Sequence, residues 1–160
     1  RRIGLVLGGR APVFLTDRLQ GYLRGIEAVG RAPEAALRWV GDADNVPPTP
    51  RRAEEAIDAV VGRGNADAIV ASNDLWAIHL VKALRRRGLR VPDDVAVVGF
   101  DNIEAAALSD PALTTVDQDN AAFAEAAVDL ALRSVHEPEQ IKPEQRTVIV
   151  RPRLVVRESA

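Results

Sequence analysis

Two short stretches of this 160-residue sequence carry side chains that could do chemistry. Ser72, Asn73 and Asp74 directly follow one apolar run, and Asp101 and Asn102 directly follow another. Hydroxyl, amide and carboxylate groups are hydrogen-bonding groups that can hold the polar atoms of a small molecule. The spacing therefore indicates a site for a small polar ligand.

The two apolar runs are predicted to be neighbouring parallel strands. Ala68–Ala71 and Val95–Phe100 are too short for helices, and their uninterrupted apolar character is typical of strands that are covered on both faces. The segment between them, Asp74–Arg87, is predicted to be a helix, with N-cap candidates at its start and Gly88 as a C-cap candidate. Because ligands of open parallel sheets bind beyond the carboxyl ends of the strands, this unit would gather the polar side chains at one edge.

The rest of the chain repeats the alternation of strand and helix, which is typical of a doubly wound α/β fold. We expect a mostly parallel sheet with helices on both faces, formed by residues 1–160 as a single domain. The further predicted strands are Arg2–Leu7, Leu37–Val40, Leu113–Val116, Thr147–Val150 and Leu154–Val156. The further predicted helices run from Thr16–Asp17 to about Val29, from Arg51 to Arg63 and from Asn120 to Val135, with a possible helical turn at Ile103–Leu108.

Composition argues against several functional classes. The formal net charge of −2 gives no general attraction to nucleic acid or to acidic membranes, and the absence of cysteine excludes thiolate chemistry. His79 and His136 lie far apart without acidic residues spaced around them, so no metal site is expected. No apolar run approaches the length of a bilayer span, and no cofactor motif is complete. The sequence has no methionine and opens directly on a predicted strand, so we expect a fragment of a longer protein.

Two features of the first quarter of the chain leave alternatives open. Gly8 and Gly9 follow the first predicted strand, but their surroundings fit neither common phosphate-loop pattern, so a turn is the simpler interpretation. Arg18 lies in the first turn of a predicted helix, where the helix dipole disfavours a cation. Its guanidinium is either solvated or reaches across the strand ends to a ligand.

Three motifs together resemble the effector-binding domain of the lactose/galactose repressor family. They are Ser72-Asn73-Asp74 at the start of a helix, Val91-Pro92-Asp93-Asp94-Val95 leading to Gly99-Phe100-Asp101, and Asp110-Pro111-Ala112-Leu113-Thr114-Thr115-Val116. Asp17-Arg18-Leu19 with Gly21 is similar to the family's first helix in the same lobe. The resemblance covers essentially the whole chain.

The resemblance implies a site and a set of partners. Arg18, Asn73 and Asp101 match positions that contact a sugar or nucleoside effector, Gln118 matches a further polar position beside the cleft, and Asp74 matches the motif but could serve mainly as a helix cap. Members of the family are cytoplasmic transcription regulators rather than enzymes. They form homodimers or higher oligomers, and they bind DNA only through an N-terminal head, which this chain would lack.

The same resemblance implies how the chain is divided. It would be one effector-binding lobe of a two-lobed core, with the helix in residues 119–136 belonging to the missing first lobe. That helix would then expose an apolar face and favour a dimer or a higher oligomer. A lobe of a periplasmic sugar-binding protein is the alternative interpretation, and an enzyme on a nucleotide-binding α/β fold is a weaker one.

The sequence departs from the family at the end of the second predicted strand. Many relatives have an aromatic residue after the Gly-Asp pair there, but Ala43 follows Gly41-Asp42 in this chain. Trp39 lies inside the strand and is expected to pack in the core. Stacking of a ligand at that edge is therefore not predicted, and the sequence does not identify one particular sugar.

Overall fold

The computed structural model describes residues 1–8, 13–41, 47–136 and 147–160, and for residues 13–15 it describes only the backbone. The strands are β1 (Ile3–Leu7), β2 (Arg38–Val40), β3 (Ala68–Ala71), β4 (Ala96–Phe100), β5 (Thr114–Asp117) and β6 (Arg153–Val155). The α-helices are α1 (Val13–Ala28), α2 (Pro50–Ile57), α3 (Asp74–Arg86), α4 (Glu104–Ala107) and α5 (Asn120–His136). A short 3-10 turn, Ala35–Leu37, precedes β2, and a π-helical stretch, Asp58–Arg63, extends α2.

The strands form one sheet in the order β2-β1-β3-β4-β5-β6. The first five strands are parallel, and β6 runs antiparallel to β5. The chain moves from β1 outward to β2 and then returns to β3 on the other side of β1, so the winding direction reverses beside β1. The predicted doubly wound, mostly parallel sheet is confirmed, and such a reversal opens a crevice at the carboxyl edge.

Alternating residues of β1 face two separate hydrophobic clusters, which shows that helices cover both faces. Val6 belongs to the larger cluster with residues of α2 and α3, including Ile57 and Leu80. Leu5 and Leu7 point the other way and pack with Tyr22 and Ile26 of α1. Helix α1 therefore lies on one face of the sheet, and α2 and α3 lie on the other.

Several predicted boundaries differ from those observed. Helix α1 begins at Val13, before the predicted start. The predicted strand at 147–150 is wrong, because that segment is irregular and pairs with no strand in the described part of the chain. A strand needs a neighbour to accept and donate its backbone hydrogen bonds, and only 153–155 has one, in β5. Gly9 of the predicted turn lies outside the described residues, and so do Asp42 and Ala43, where the sequence departs from the family.

Helix α5 has apolar side chains but no buried residue among those described. Phe123 is 64% exposed and Val135 is 74% exposed. An amphipathic helix normally buries its apolar face against a neighbour, so α5 has the pattern of a packed helix without the packing. Within the described ranges, no helix combines the length and apolar character that crossing a membrane requires.

Candidate functional site

Arg18 and Asp101 come together at the carboxyl edge of the sheet, although they are far apart in the sequence. Arg18 lies on α1, and Asp101 directly follows β4. Arg18 Nη2 is 3.8 Å from Asp101 Oδ1, and the two side chains are 19% and 32% exposed. The structure thus places two of the predicted site residues side by side in a partly desolvated position, where a charge interacts more strongly than in water.

Gln118 completes this group from the next strand end. Its Nε2 donates a hydrogen bond of 2.8 Å to Asp101 Oδ1. The backbone N–H of Asp101 donates to the carbonyl of Val116 at 2.9 Å, which ties the ends of β4 and β5 together. We call Arg18, Asp101 and Gln118 the polar cluster.

Phe100 is a site residue that the sequence analysis missed. The guanidinium carbon of Arg18 lies 4.0 Å from the centroid of the Phe100 ring, a cation–π contact. Phe100 is the last residue of β4, and the alternation of the strand turns its ring toward the face that carries α1. Its position directly before Asp101 was the signal in the sequence that could have identified Phe100 as a site residue.

Asn73 and Asp74 have different structural roles. Asn73 is the N-cap of α3, and its Oδ1 accepts the Trp76 N–H at 2.9 Å. The interpretation of Asp74 as mainly a helix cap is therefore wrong. Asp74 is fully buried, with Thr115 Oγ1 donating to its Oδ1 at 2.6 Å and Ile103 N donating to its Oδ2 at 2.9 Å.

A cavity of about 480 Å³ lies next to the polar cluster, between α1 and the ends of the strands. Most of its lining is apolar and comes from the sheet and from α1. The lining residues are Leu5, Leu7, Asp17, Arg18, Gly21, Tyr22, Val70, Ala71, Ser72, Phe100, Val116 and Gln118. The Tyr22 hydroxyl donates to the Ile3 carbonyl at 2.7 Å, so this hydroxyl is bonded to the sheet. A cavity of this size with a few polar groups has the character of a small-molecule site.

Burial sets the electrostatics of the polar cluster. Burial raises the pKa of the Asp101 carboxyl, and the negative charge of Asp74 raises it further. The positive charge of Arg18 and, to a smaller extent, the hydrogen bond from Gln118 lower it. Burial lowers the pKa of Arg18, and Asp101 opposes that change. Each charge therefore partly compensates the desolvation of the other, and a ligand that hydrogen-bonds both would add to this compensation.

Burial also raises the pKa of the Asp74 carboxyl. The hydrogen bonds from Thr115 and from the backbone of Ile103 and Phe100 oppose that shift, as does the charge of Arg157. The described residues contain no group of three or more histidine, aspartate or glutamate side chains arranged to hold a metal ion.

The sequence matches the family described as the periplasmic binding protein-like domain over residues 1–160. It is 28% identical over 162 residues to the HTH-type transcriptional repressor PurR of Photobacterium profundum, an alignment that covers 99% of this chain and 45% of that protein. The chain spans about half the length of the curated relatives that it matches.

Solved structures of transcription regulators have the same fold as this chain. The structure of a transcriptional regulator CelR–cellobiose complex superposes with a TM-score of 0.84 at 30% identity, over 100% of this chain and 47% of that one. A LacI-type transcription regulator from Bifidobacterium animalis subsp. lactis superposes with a TM-score of 0.82 at 30% identity, over 99% of this chain and 58% of that one.

Proposed function

The chain belongs to the periplasmic binding protein-like domain family, and from that premise we propose that it is the effector-sensing lobe of a DNA-binding transcription regulator of the lactose/galactose repressor type. The relatives reported above are transcriptional regulators, which favours this function over that of a periplasmic sugar-binding protein. A cytoplasmic location and the absence of enzymatic activity are part of the proposal. DNA binding would belong to an N-terminal head outside this chain.

The polar cluster beside the cavity is the observation that carries the proposal. A carboxylate accepts hydrogen bonds from hydroxyl groups, and a guanidinium donates to oxygen atoms in a fixed plane. Asp101 and Arg18 offer both kinds of group within 3.8 Å of each other. A ligand with neighbouring hydroxyl and ring or carbonyl oxygens would satisfy both, whereas one lacking them would leave partly buried polar groups unpaired.

The effector that fits is a small polar molecule of the sugar or nucleoside class, with one apolar face. The 480 Å³ cavity lies in the size range of small-molecule sites. Its polar lining includes Asp17, Arg18, Ser72 and Gln118, and Asp101 lies beside it, hydrogen-bonded to Gln118. The rings of Tyr22 and Phe100 form part of its boundary. The hydroxyl groups of a sugar would meet the polar cluster, and its C–H face would lie against the apolar wall.

Asn73 is included in the proposed contact set with Arg18, Asp101 and Gln118. Because its Oδ1 already accepts the Trp76 N–H, a contact with the effector would come from its amide nitrogen. Asp74 has its carboxylate turned into the protein, where Thr115 and Ile103 donate to it. A direct contact between Asp74 and the effector therefore has no support from its geometry.

The regulator would be completed by parts outside this chain. Helix α5 would pack on a first lobe, which would close over the effector, and two regulator chains would form a homodimer. An effector that contacts both lobes would bind one relative orientation of the lobes more tightly and so shift the population of that state. The DNA heads would respond through the same free-energy coupling.

A thermal-shift screen on the intact regulator tests the proposal, using monosaccharides, disaccharides, nucleosides and purine bases. We expect one chemical class to raise the melting temperature of the wild type by several degrees, and we expect Asp101→Ala to abolish that shift. Asp110→Ala is the control, because Asp110 is an exposed carboxylate that pairs with Arg85. A compound that stabilises wild type and Asp101→Ala equally would remove Asp101 from the site.

A further inference from the structure

Asp101 occupies a backbone conformation that L-residues seldom adopt. Its φ angle is +113°, and the φ angle of the next residue, Asn102, is +52°. Two consecutive non-glycine residues with positive φ are unfavourable by themselves, and they persist where surrounding contacts hold them. We call residues 100–103 the aspartate turn.

The buried carboxylate of Asp74 supplies contacts of that kind. Its Oδ2 accepts the backbone N–H of Ile103, which is the residue directly after the two with positive φ. At the other end of the turn, the backbone of Gly99, the residue directly before Phe100, lies close to Asp74 Oδ1. One carboxylate therefore contacts the backbone next to both ends of the aspartate turn, from a helix that begins at the next strand end.

The rest of the local structure fits around this carboxylate. Thr115 Oγ1 donates to Asp74 Oδ1 at 2.6 Å, and the same hydroxyl lies 3.4 Å from the Asn102 backbone nitrogen, which donates to it. A Cβ atom at Gly99 would collide with Asp74 Oδ1, so β4 can approach the carboxylate only with glycine at that position. The Thr115 hydroxyl and the Ile103 backbone N–H thus donate to the Asp74 carboxylate, and Thr115 in turn accepts from the Asn102 backbone.

We infer that Asp74 is the positioning residue of the effector site, holding the aspartate turn so that the Asp101 carboxylate faces Arg18 and Gln118. This role rests on the proposed function, because it is the effector contact of Asp101 that Asp74 would position. Asp74 would not touch the effector. Its effect on affinity would pass through Asp101, and the charge of Asp74 would also act on the Asp101 carboxylate from inside the protein.

A second anchor on the same turn provides an internal comparison. Arg157 Nη2 donates to Asn102 Oδ1 at 2.7 Å, and Arg157 Nη1 donates to the Leu113 carbonyl at 2.8 Å. Arg157 holds the Asn102 side chain, whereas Asp74 bonds the backbone N–H of Ile103. The two anchors can therefore be separated by substitution.

Amide hydrogen exchange measured by NMR on the 160-residue chain tests the role without any effector. In Asp74→Ala we expect the Ile103 amide to exchange at least about tenfold faster, because its acceptor is removed. The Val97 amide, which donates to the Ser159 carbonyl at 2.8 Å in the same sheet, should change by less than about twofold. The Gln118 side-chain amide resonances should move toward their positions in Asp101→Ala, since Asp101 would no longer be held in place.

Conservative variants separate positioning from a general loss of stability. Asp74→Asn retains one acceptor oxygen and should restore most of the Ile103 protection. Should Asp74→Ala fail to fold, Thr115→Val removes a donor to the carboxylate and should shift the Ile103 and Gln118 signals in the same direction. The Val97 amide is again the internal reference for a general loss of stability.

Two outcomes would overturn the inference. One is equal acceleration of the Ile103 and Val97 amides, which would mean that Asp74 acts only on overall stability. The other is an unchanged Gln118 resonance in a folded Asp74→Ala chain. Neither outcome depends on an effector, so a failure here is distinct from a failure of the effector screen.

Discussion

The guanidinium of Arg18 is stacked on the ring of Phe100, with 4.0 Å between the guanidinium carbon and the ring centroid. The contact joins α1 to the end of β4 and leaves the cation beside Asp101, with 3.8 Å between Arg18 Nη2 and Asp101 Oδ1. If Arg18 contacts the effector as we propose, a guanidinium held over a ring would have fewer orientations to lose on binding, so part of the entropy cost would be met in the free protein.

Phe100→Leu is therefore expected to weaken effector binding while leaving the fold intact. A cation–π contact in a partly desolvated position contributes about 1 kcal/mol, which corresponds to a loss of roughly fivefold in affinity. Isothermal calorimetry on the intact regulator, with the compound that stabilises the wild type in the screen, measures this change. Because Leu keeps most of the apolar volume, the melting temperature without effector should fall only slightly.

Val98→Leu is the control for Phe100→Leu, because Val98 lies two residues earlier on the same face of β4 and carries no ring. It should leave the affinity within about twofold of the wild type. An affinity in Phe100→Leu equal to that of the wild type would show that Arg18 does not need the ring.

The order of the elements was predictable from the sequence because each strand and helix carries its own signal. The apolar runs at β3 and β4, and the caps around α3, are local features, and parallel pairing follows from the alternation of strands with helices. The position of Asp101 at the sheet edge followed from the same reasoning. That prediction needed only the rule that the ends of parallel strands gather at one edge.

Features that depend on distant partners were not predictable in this way. The segment at 147–150 has the composition of a strand but no neighbour among the described residues, and pairing cannot be read from composition. Asn73 and Asp74 are adjacent, and both residue types are favoured as N-caps, so the sequence did not show that Asn73 is the cap and that Asp74 is free for another role. The contact of Phe100 with Arg18 depends on where α1 crosses the sheet.

Asp101→Asn is expected to stabilise the chain at pH 7. Burial raises the folded-state pKa of Asp101, although Arg18 opposes the shift, so the folded chain holds this proton more tightly than the unfolded chain does. The favourable contribution is complete below the ordinary aspartate pKa, about 3.9, and it is lost as the pH rises through the raised folded-state value. At pH 7 the ionised carboxylate therefore penalises the fold, and the neutral amide removes the penalty.

Urea unfolding of wild type and Asp101→Asn between pH 4 and pH 7 measures that difference. The advantage of the variant should be largest at pH 7 and should shrink as the pH falls toward 4. Asp110→Asn, at an exposed carboxylate, should differ from the wild type by less than about 1 kcal/mol across the range. A variant that is less stable than the wild type at pH 7 would show that the pairing of Asp101 with Arg18 outweighs the burial of its charge.

Gly99→Ala is expected to destabilise the chain, because the new methyl group has no space. It would collide with Asp74 Oδ1 and would lie 2.9 Å from Leu113 Cδ2. Overpacking of this kind typically costs about 1–3 kcal/mol, which equilibrium unfolding in urea would measure. The matched control is Gly25→Ala in α1, where nothing lies within 4 Å of the new Cβ. It should stabilise the chain by about 0.5–1 kcal/mol, because alanine favours a helix more than glycine does.

The isolated 160-residue chain is expected to associate through α5 at concentrations of tens of micromolar. Phe123 and Leu132 on this helix are 64% and 54% exposed. Sedimentation velocity should show a dimer or a higher oligomer for the wild type and a shift toward monomer for the double variant Phe123→Ser with Leu132→Ser. A wild type that sediments as a monomer at these concentrations would contradict this expectation.

Leu132 also distinguishes the isolated chain from the intact regulator that we propose. In the dilute 160-residue chain, Leu132→Ser should change the unfolding free energy by less than about 0.5 kcal/mol, because the side chain is mostly exposed and has little packing to lose. In the intact regulator, where we propose that α5 packs on the first lobe, the same substitution should cost about 2–4 kcal/mol. Leu80→Ala, at a fully buried position of α3, should be destabilising by a similar amount in both proteins. If Leu132→Ser were as mild in the intact regulator as in the isolated chain, α5 would not be part of a lobe interface, since a buried leucine cannot be replaced by serine without losing its apolar contacts.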